Sequence, residues 1–221
     1  MEKSFVIIKP DGTCRRTVSA IVLKALMDQG YTVKAFQEMQ VSKELAGKHY
    51  AVHKEKPFFP WLVQFITAAP VLAIIFEAPD VIQGIRDALG ATFVQKASPD
   101  SLRGKYGIWA GINLAHASDG TDTASQEISL WTGESDLSIS DDAEDRAKQY
   151  VANYIGGGID WTMDIRRVVR GAIDTGDTSQ EVMNQLIALL GKDATGIKDE
   201  SIENLANAIF AFIEEEVEKS E

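Results

Sequence analysis

The sequence Val71-Leu72-Ala73-Ile74-Ile75-Phe76 is an uninterrupted apolar run that is rich in β-branched and aromatic residues. Such a short run, preceded by a proline and followed by a glutamate, is typical of a buried β-strand. Two further β-like runs lie towards the N-terminus, at Ser4–Lys9 and Tyr31–Met39. We therefore expect Val71–Phe76 to be a buried strand in a sheet that the two earlier runs also join.

Helical patterns lie between these β-like runs. The segment Thr17–Gln29 is amphipathic, and Gly30 follows it as a stop signal. The pattern predicts further helices near residues 42–53, 58–68 and 80–89, and a last strand near residues 106–112. The order β-α-β, helices, β-α-β is that of a split βαβ unit. It predicts an α/β (α+β) fold, namely a ferredoxin-like βαββαβ sandwich with an antiparallel sheet.

The composition is that of an ordinary globular protein. The chain has 221 residues, of which 45% are hydrophobic and 25% are charged, and it can bury a sizeable core. Its single cysteine, Cys14, cannot form an internal disulfide, which favours a cytoplasmic location. The N-terminus lacks the long apolar middle of a secretory signal. The uncharged stretch Pro57–Phe76 is interrupted by prolines, so we expect no membrane-spanning helix there.

Charge divides the chain into two parts. Residues 1–131 contain 14 Lys and Arg against 13 Asp and Glu, a net charge of +1, whereas residues 132–221 contain 8 against 20, a net charge of −12. The acidic part would repel nucleic-acid backbones and anionic lipids, which argues against a specific nucleic-acid partner or a membrane-surface role. The near-neutral part leaves room for a local basic pocket that binds an anionic small molecule.

The residue composition of the sequence changes after Trp131. Residues 132–142 are small, polar and acidic, and they are predicted to be a linker. Helical patterns follow near residues 143–154, 161–174, 180–190 and 201–219. Residues 1–131 are therefore predicted to form one domain, and residues 143–221 an acidic helical extension of unknown role.

His116 is the strongest candidate for a reactive side chain. It lies where the predicted last strand gives way to polar residues, and hydrogen-bonding side chains surround it at Asn113, Ser118 and Asp119. Glu127, on the helix that follows, could orient one ring nitrogen and leave the other free as a nucleophile. A lone histidine is more often structural, and this local window alone leaves that alternative open.

A set of basic residues is a candidate anion pocket. Lys9 ends the first predicted strand, and Lys9-Pro10-Asp11-Gly12 is also compatible with an ordinary turn. Arg86 and Arg103 lie on either side of a long connection that contains Thr92. Spacing alone leaves open whether these side chains converge. Because no Gly-Lys-Ser/Thr motif occurs, phosphate binding would have to use side chains more than a glycine-rich loop.

His49 and His53 are four residues apart on a predicted helix and could share a metal ion. The sequence next to them lacks the glutamate of a metalloprotease helix, and it offers no evident third ligand. We therefore expect the two histidines to lie on a solvated helix face.

Taken together, these motifs resemble one family. Residues 3–131 are similar to nucleoside diphosphate kinases, with the signature Asn113-x-x-His116-x-Ser118-Asp119. The supporting motifs, in chain order, are Lys9-Pro10-Asp11-Gly12, His49-Tyr50, Pro57-Phe58-Phe59, Arg86-x-x-Leu89-Gly90-x-Thr92, Leu102-Arg103-Gly104 and Glu127-Ile128-Ser129-Leu130-Trp131. Each motif is weak alone, but their order over nearly the whole region makes chance an implausible explanation.

The resemblance implies an enzyme that moves the γ-phosphoryl group of a nucleoside triphosphate, usually ATP, onto His116 and then onto a nucleoside diphosphate. In this scheme Glu127 accepts a hydrogen bond from the other ring nitrogen, and Ser118 supports Glu127. The residues implied near the sugar 3′-hydroxyl and the transferred phosphate are Lys9, Tyr50 and Asn113. The implied phosphate ligands are Arg86, Thr92 and Arg103. Phe58 is implied as the stacking partner of the base, and Mg²⁺ would travel with the nucleotide, near Asp119.

The chemistry agrees with these implied roles. Phosphoryl transfer needs an in-line nucleophile and cations that offset the charge on the transferring oxygens. An ordinary imidazole, with a pKa of about 6.5, is largely unprotonated at neutral pH and needs no separate base. Two alternatives to the kinase remain open: a histidine phosphocarrier that donates to a protein, and a non-catalytic nucleotide-binding or interaction module.

The resemblance also implies a homo-oligomer. For the extension we consider three roles. It could be an oligomerisation module, because Ile202, Leu205, Ile209, Phe212 and Ile213 form an apolar stripe at helical spacing. It could be a cover over the active site, because its acidity would complement a cationic pocket. It could also be a passive appendage with its own small core.

Overall fold

A computed structural model describes residues 1–219 of the chain. Its four-stranded antiparallel sheet has the order β2-β3-β1-β4. The strands are β1 (Glu2–Ile8), β2 (Thr32–Met39), β3 (Val71–Ala78) and β4 (Ala115–Ala117). The run Val71–Phe76 lies within β3, pairs with strands on both sides and is fully buried, as predicted.

Helices connect and cover the strands. Their bounds are α1 (Pro10–Thr13), α2 (Arg16–Met27), α3 (Lys43–His49), α4 (Phe59–Ile66), α5 (Val81–Leu89), α6 (Leu102–Tyr106), α7 (Thr121–Glu134), α8 (Ala143–Tyr154), α9 (Thr162–Thr175), α10 (Gln180–Leu190) and α11 (Asp199–Glu218). Short 3₁₀ turns lie at residues 51–53, 94–96 and 191–193. The order β1-α2-β2-β3-α5-β4, with α3 and α4 between β2 and β3, confirms the predicted βαββαβ sandwich and the helical C-terminal region.

The two faces of the sheet pack into separate cores because side chains alternate along each strand. On β1, Val6 and Ile8 pack with apolar residues of α2, α5 and α8. Phe5 and Ile7 point to the other face and pack with residues of α3 and with Trp131 of α7. These β1 side chains are fully buried, and burying each one contributes about 1.5–3 kcal/mol. Strand β4 pairs with β1. It is therefore held in a sheet that has a packed core on each face.

The prediction of a last strand near residues 106–112 is wrong. Tyr106 ends helix α6, and the chain then makes a tight turn in which the amide of Ile108 donates to the Ile112 carbonyl at 2.9 Å. Ala110 within this turn has a positive φ of 42°. Ile108 and Ile112 are fully buried against the C-terminal helices. Ile112 forms an isolated antiparallel bridge with Trp109 but joins no strand of the sheet, so the apolar character of this segment reflects burial. His116 lies inside the true last strand, β4.

The C-terminal helices share cores with the sheet-containing region. Helix α8 packs on α2 and β2, and its Ala143, Ala147 and Tyr150 are buried in the core formed by β1 and β3. Helices α9, α10 and α11 pack against one another, and α11 also packs against α4. The apolar stripe of α11 is buried inside this chain, so it is not available to a second copy in the way the oligomerisation hypothesis supposed.

The segment between the two regions is only partly extended. Helix α7 continues to Glu134, and Leu137 is buried beside Trp131. The amide of Ser140 donates to the carbonyl of Lys34 on β2 at 3.1 Å. The domain boundaries at 131 and 142 stay a prediction.

Buried polar contacts join the two regions. The amide of Thr17, in the first turn of α2, donates to Asp193 Oδ2 at 2.7 Å, which satisfies a helix N-terminal amide that lacks an intrahelical partner. Arg15 Nη1 donates to Thr162 Oγ1 at 2.6 Å. Removing one partner of such a buried contact lowers the free energy of unfolding by about 1–3 kcal/mol. These polar pairs therefore make the docking of the two regions specific, in addition to the apolar packing. None of the helices within residues 1–219 is long and apolar enough to cross a membrane.

Candidate active site

His116 lies in the middle of β4, opposite Ile7 of β1. Its Nε2 is 2.7 Å from Oε1 of Glu127, which projects from α7. Because an ionised carboxylate can only accept hydrogen bonds, this contact assigns the proton of a neutral imidazole to Nε2 and its lone pair to Nδ1. Nδ1 has no hydrogen-bond partner within residues 1–219, and the side chain is 24% exposed. In this tautomer the unprotonated nitrogen belongs to a partly exposed side chain.

Ser118 holds the second oxygen of Glu127. Its hydroxyl donates to Glu127 Oε2 at 2.6 Å and accepts from the amide of Phe5 at 3.1 Å. Ser118 is fully buried, and its own amide donates to the Phe5 carbonyl at 3.0 Å. The carboxylate is thus anchored at both oxygens, one to the serine and one to the imidazole, and the ring orientation follows from the sheet.

His49 is buried, so the expectation of a solvated face is wrong for this residue. Its side chain is 1% exposed, and its ring lies 4.6 Å from the ring of His116 at an interplanar angle of 87°. Trp131 Nε1 donates to His49 Nδ1 at 3.4 Å. Burial lowers the pKa of His49 well below its usual range, with a smaller contribution from His116. His49 is therefore a neutral ring packed against the candidate nucleophile.

Sequence reasoning assigned His49 no role, although the pair His49-Tyr50 belongs to the motifs quoted above. Its burial comes from Phe5 and Trp131, which are distant in the chain, so helical spacing cannot reveal it. His53 lies apart from this group, on the 3₁₀ turn, with its ring 5.7 Å from the ring of Phe58.

Lys9 and Asn113 form a buried polar pair beside the sheet. Lys9 Nζ donates to Asn113 Oδ1 at 2.7 Å, and neither residue is more than 7% exposed. Burial lowers the pKa of Lys9 to about 8, while the Asp11 carboxylate raises it and Arg103 lowers it further. Asp11 Oδ2 also accepts from the amide of Leu114 at 2.9 Å. This bond joins α1 to the segment that leads into β4, so the lysine and the histidine are held by neighbouring elements.

Tyr50 follows α3 and is 8% exposed. Burial raises the pKa of its hydroxyl, with a smaller contribution from Glu127. Its ring lies 4.6 Å from that of His49. The phenol is therefore a neutral hydroxyl at the edge of the histidine pair.

The proposed phosphate ligands gather around Asn113. Arg103, on α6, donates from Nε to the Asn113 carbonyl at 3.2 Å, and from its two Nη atoms to Gly90 and Ala115 carbonyls at 2.8 and 2.7 Å. A guanidinium has five N–H donors, so these three bonds leave donors for a ligand. Asn113 Nδ2 donates to the carbonyl of Thr92 at 2.7 Å. Burial lowers the pKa of Arg103 to about 10.

Arg86 completes this cationic group from α5. Its side chain is exposed, and its charge lowers the pKa values of both Arg103 and Asp119. The charge of Arg86 thus reaches Arg103 and Asp119, while the convergence of all three cations on one phosphate site stays a prediction.

Two exposed residues lie at the edges of the site. Phe58, immediately before α4, is 41% exposed. Asp119 lies after β4, and a hydrogen bond from Thr123 lowers the pKa of its carboxyl. The first offers an aromatic face, and the second an ionised carboxylate.

Comparisons with known proteins point in one direction. The family model described as nucleoside diphosphate kinase matches residues 2–137. A nucleoside diphosphate kinase of Microcystis aeruginosa is 48% identical over 137 residues, which is 62% of this chain and 91% of that protein. A relative from Synechococcus with the same name is 47% identical over the same shares. The match of the family model ends before α8.

Solved structures agree with this match. A halophilic nucleoside diphosphate kinase from Halobacterium salinarum in complex with CDP is similar, with a TM-score of 0.58 and 40% identity over 66% of this chain and 97% of that one. The nucleoside diphosphate kinase of Aquifex aeolicus is similar with a TM-score of 0.55 and 35% identity, over 58% of this chain and 93% of that one.

Proposed function

The chain belongs to the nucleoside diphosphate kinase family, and from this premise we infer that it transfers the γ-phosphoryl group of a nucleoside triphosphate to a nucleoside diphosphate. We propose a ping-pong reaction, with ATP as the usual donor, in which His116 is phosphorylated and then dephosphorylated. The observation that carries this proposal is the 2.7 Å contact between His116 Nε2 and Glu127 Oε1. It supports Nδ1 as the nucleophile because it reserves the lone pair on that nitrogen.

In the first half-reaction, the Nδ1 lone pair of His116 forms a bond to the γ-phosphorus. The bond between that phosphorus and the bridging oxygen breaks, and its electron pair leaves with the nucleoside diphosphate. The positive charge that develops on the imidazole is stabilised by Glu127 through the Nε2 hydrogen bond. Because Ser118 already holds the other carboxylate oxygen, Glu127 needs little reorientation during the step.

The second half-reaction is the reverse with a new acceptor. A terminal oxygen of a second nucleoside diphosphate attacks the phosphorus on His116, the N–P bond breaks, and the lone pair returns to Nδ1. That oxygen is already ionised at neutral pH, so no general base is required. The same side chains therefore serve both directions.

Besides the nucleophile, phosphoryl transfer requires positive charge near the transferring group. Lys9, Arg86 and Arg103 are proposed to offset the charge on the phosphate oxygens, with Thr92 as a further ligand. The shared partner Asn113 supports this assignment, since Lys9 contacts its side chain and Arg103 its carbonyl.

The nucleoside is proposed to contact side chains at the edge of the site. Asn113, Tyr50 and Lys9 are proposed to lie near the sugar 3′-hydroxyl and the transferred phosphate. The exposed ring of Phe58 is proposed to stack on the base. Because every base has a π-face, this contact predicts weak discrimination between bases.

Nucleotide kinases generally use a divalent metal, and we propose Mg²⁺ for this chain. Asp119 fits the ion because its carboxylate is exposed and a hydrogen bond from Thr123 lowers its pKa, and Mg²⁺ often takes only one or two protein carboxylates besides substrate phosphates and water. When bound to the phosphates, the ion neutralises their charge. Ligand atoms of His49, His116 and Glu127 also lie within 4.8 Å of one another. That cluster fits Mg²⁺ poorly, since two of its atoms are imidazole nitrogens and Glu127 already accepts from His116.

The decisive experiment is incubation with γ-labelled ATP followed by a chase with GDP or UDP. We expect the wild type to become labelled and the chase to remove the label, and His116→Ala to stay unlabelled. An unlabelled wild type, or equal label on His116→Ala, would reject the kinase mechanism. Label that nucleoside diphosphates cannot remove would favour the histidine phosphocarrier, and nucleotide binding without label would favour the non-catalytic module.

We also propose a homo-oligomer, on the basis of the family resemblance. Its contact surfaces must lie outside the buried stripe of α11. Light scattering on the full chain tests this, and a mass of one 24.2 kDa chain would contradict it. The cytoplasmic location proposed from the single cysteine stays a prediction, which cell fractionation would test.

A further inference from the structure

Arg166 of α9 binds the C-terminal end of α6. Its Nε donates to the Gly107 carbonyl at 2.6 Å, and its Nη2 lies 2.8 Å from the Gly104 carbonyl and 3.3 Å from that of Arg103. Helix α6 has only five residues, and the last carbonyls of a helix lack intrahelical N–H donors; of those that Arg166 contacts, the Arg103 carbonyl also accepts from the Gly107 amide. A guanidinium satisfies them with charge-assisted bonds and lies at the negative end of the helix dipole.

We propose that Arg166 is a positioning residue for Arg103. The inference rests on the proposed function, in which Arg103 is a phosphate ligand. Arg166 contacts the backbone of Arg103, while the Arg103 guanidinium reaches the carbonyls of Gly90, Asn113 and Ala115. Arg103 therefore links α6 to the segment that carries the nucleophile, and Arg166 holds the α6 end of that link. Helix α9, outside the residues matched by the family model, thus contributes to the site.

Close packing against the preceding loop adds to this restraint. A Cβ atom on Gly104 would clash with the carbonyl oxygen of Ser98, and one on Gly107 would come within 2.6 Å of Val94 Cγ2. The backbone of α6 is therefore in direct contact with the preceding loop. The short helix is therefore restrained by Arg166 of α9 and by the preceding loop.

Helix α9 does not depend on Arg166 for its own docking. Ile165, Val169 and Ala172 are buried in the core shared with α10 and α11. Arg166 is only partly buried, so losing its head group leaves that apolar face intact. Arg167, the next residue, is a matched control because its side chain is 76% exposed and pairs with Asp164 at 2.9 Å. Arg167→Gln makes the same change of charge on the same helix without touching α6.

The test is a double-mutant cycle on kcat/KM for a nucleoside diphosphate. We expect Arg166→Gln to lower kcat/KM by about tenfold, as for loss of a charged hydrogen bond, and Arg167→Gln to change it by less than about twofold. The double variant Arg166→Gln/Arg103→Gln should be no worse than Arg103→Gln, because Arg166 acts through Arg103. Losses that multiply, or equal effects of Arg166→Gln and Arg167→Gln, would overturn the proposal. If Arg166→Gln does not fold, Arg166→Lys takes its place in the cycle.

Amide hydrogen exchange gives a readout that does not depend on activity. The Gly107 amide donates to the Arg103 carbonyl at 2.9 Å, and residues 102–107 should exchange faster in Arg166→Gln than in Arg167→Gln. Equal exchange would contradict the positioning role. A wild type without kinase activity would reject the proposed function, whereas an active wild type with an unaffected α6 would reject only the role of Arg166.

Discussion

The region matched by the kinase family and the C-terminal helices use buried polar groups differently. In residues 2–137, buried polar side chains surround the candidate nucleophile, and they include Lys9, Arg103, Asn113, Ser118 and Glu127. Among residues 138–219, the buried polar residues are Thr162 and Asp193, and each contacts the first region. Burying a polar group is costly unless it is hydrogen-bonded. Within residues 1–219, the first region therefore accepts this cost both around the candidate nucleophile and at the interface, where Arg15 and Thr17 lie, whereas the second region accepts it at the interface.

The largest expected effect falls on the nucleophile. His116→Ala should lower kcat by at least about 1,000-fold, because the covalent intermediate cannot form. The matched change in the second region is Gln185→Ala, on an exposed face of α10, which should leave kcat within about twofold. Steady-state kinetics on both variants decide this, and a comparable loss in both would break the contrast between the regions.

The next effect concerns the carboxylate behind the imidazole. Glu127→Gln should lower kcat by about 10- to 100-fold, as expected for loss of a charged hydrogen bond of about 1.5–3 kcal/mol. Glu134→Gln is the control on the same helix, since Glu134 is partly exposed and pairs with Lys48. Stopped-flow measurement of His116 phosphorylation would show whether the lower kcat of Glu127→Gln arises in the first half-reaction. Similar rates for the two variants would show that Glu127 does not assist the reaction.

A pH effect should arise from the buried lysine. Because burial lowers the pKa of Lys9 to about 8, its ammonium is charged below that pH and loses its charge as the pH rises through it. kcat/KM, which reports groups of the free enzyme, should therefore fall above about pH 8. Lys9→Gln should have a lower kcat/KM throughout and should lack this decline. If the decline persists in Lys9→Gln, another group is responsible.

The smallest effect on activity should come from the core of the second region. Ile209→Ala removes a fully buried side chain on α11 and should lower the free energy of unfolding by about 2–5 kcal/mol. Far below the melting temperature, kcat/KM should stay within about twofold. Asn207→Ala, on the exposed face of α11, should change stability by less than about 0.5 kcal/mol.

Calorimetry on Ile209→Ala also tests how the regions are coupled. Because α11 packs against α4, we expect one unfolding transition for the whole chain. Two separate transitions would mean that the C-terminal helices form an independent unit.

Local patterns predicted the elements well where one face is apolar. The bounds of α8 and α10 agree with the predicted 143–154 and 180–190, because helical periodicity is set by the backbone and is visible in the sequence itself. The same reasoning failed at residues 106–112. Ile108 and Ile112 lie in a turn and are buried by distant helices. An apolar pattern indicates that a segment is buried, but it does not determine which hydrogen bonds the backbone makes.

Residue types and the order of the motifs are visible in the sequence alone, and they predicted the family, three of the four strands and most helices. It also marked His116 as a candidate, although the roles of the site residues stay predictions. The packing of distant elements brings Lys9 and Arg103 together at Asn113. The same packing buries His49 and carries Arg166 to α6. The physical reason is that periodicity is a local property of the backbone, whereas these contacts join residues far apart in the chain and depend on how the layers pack.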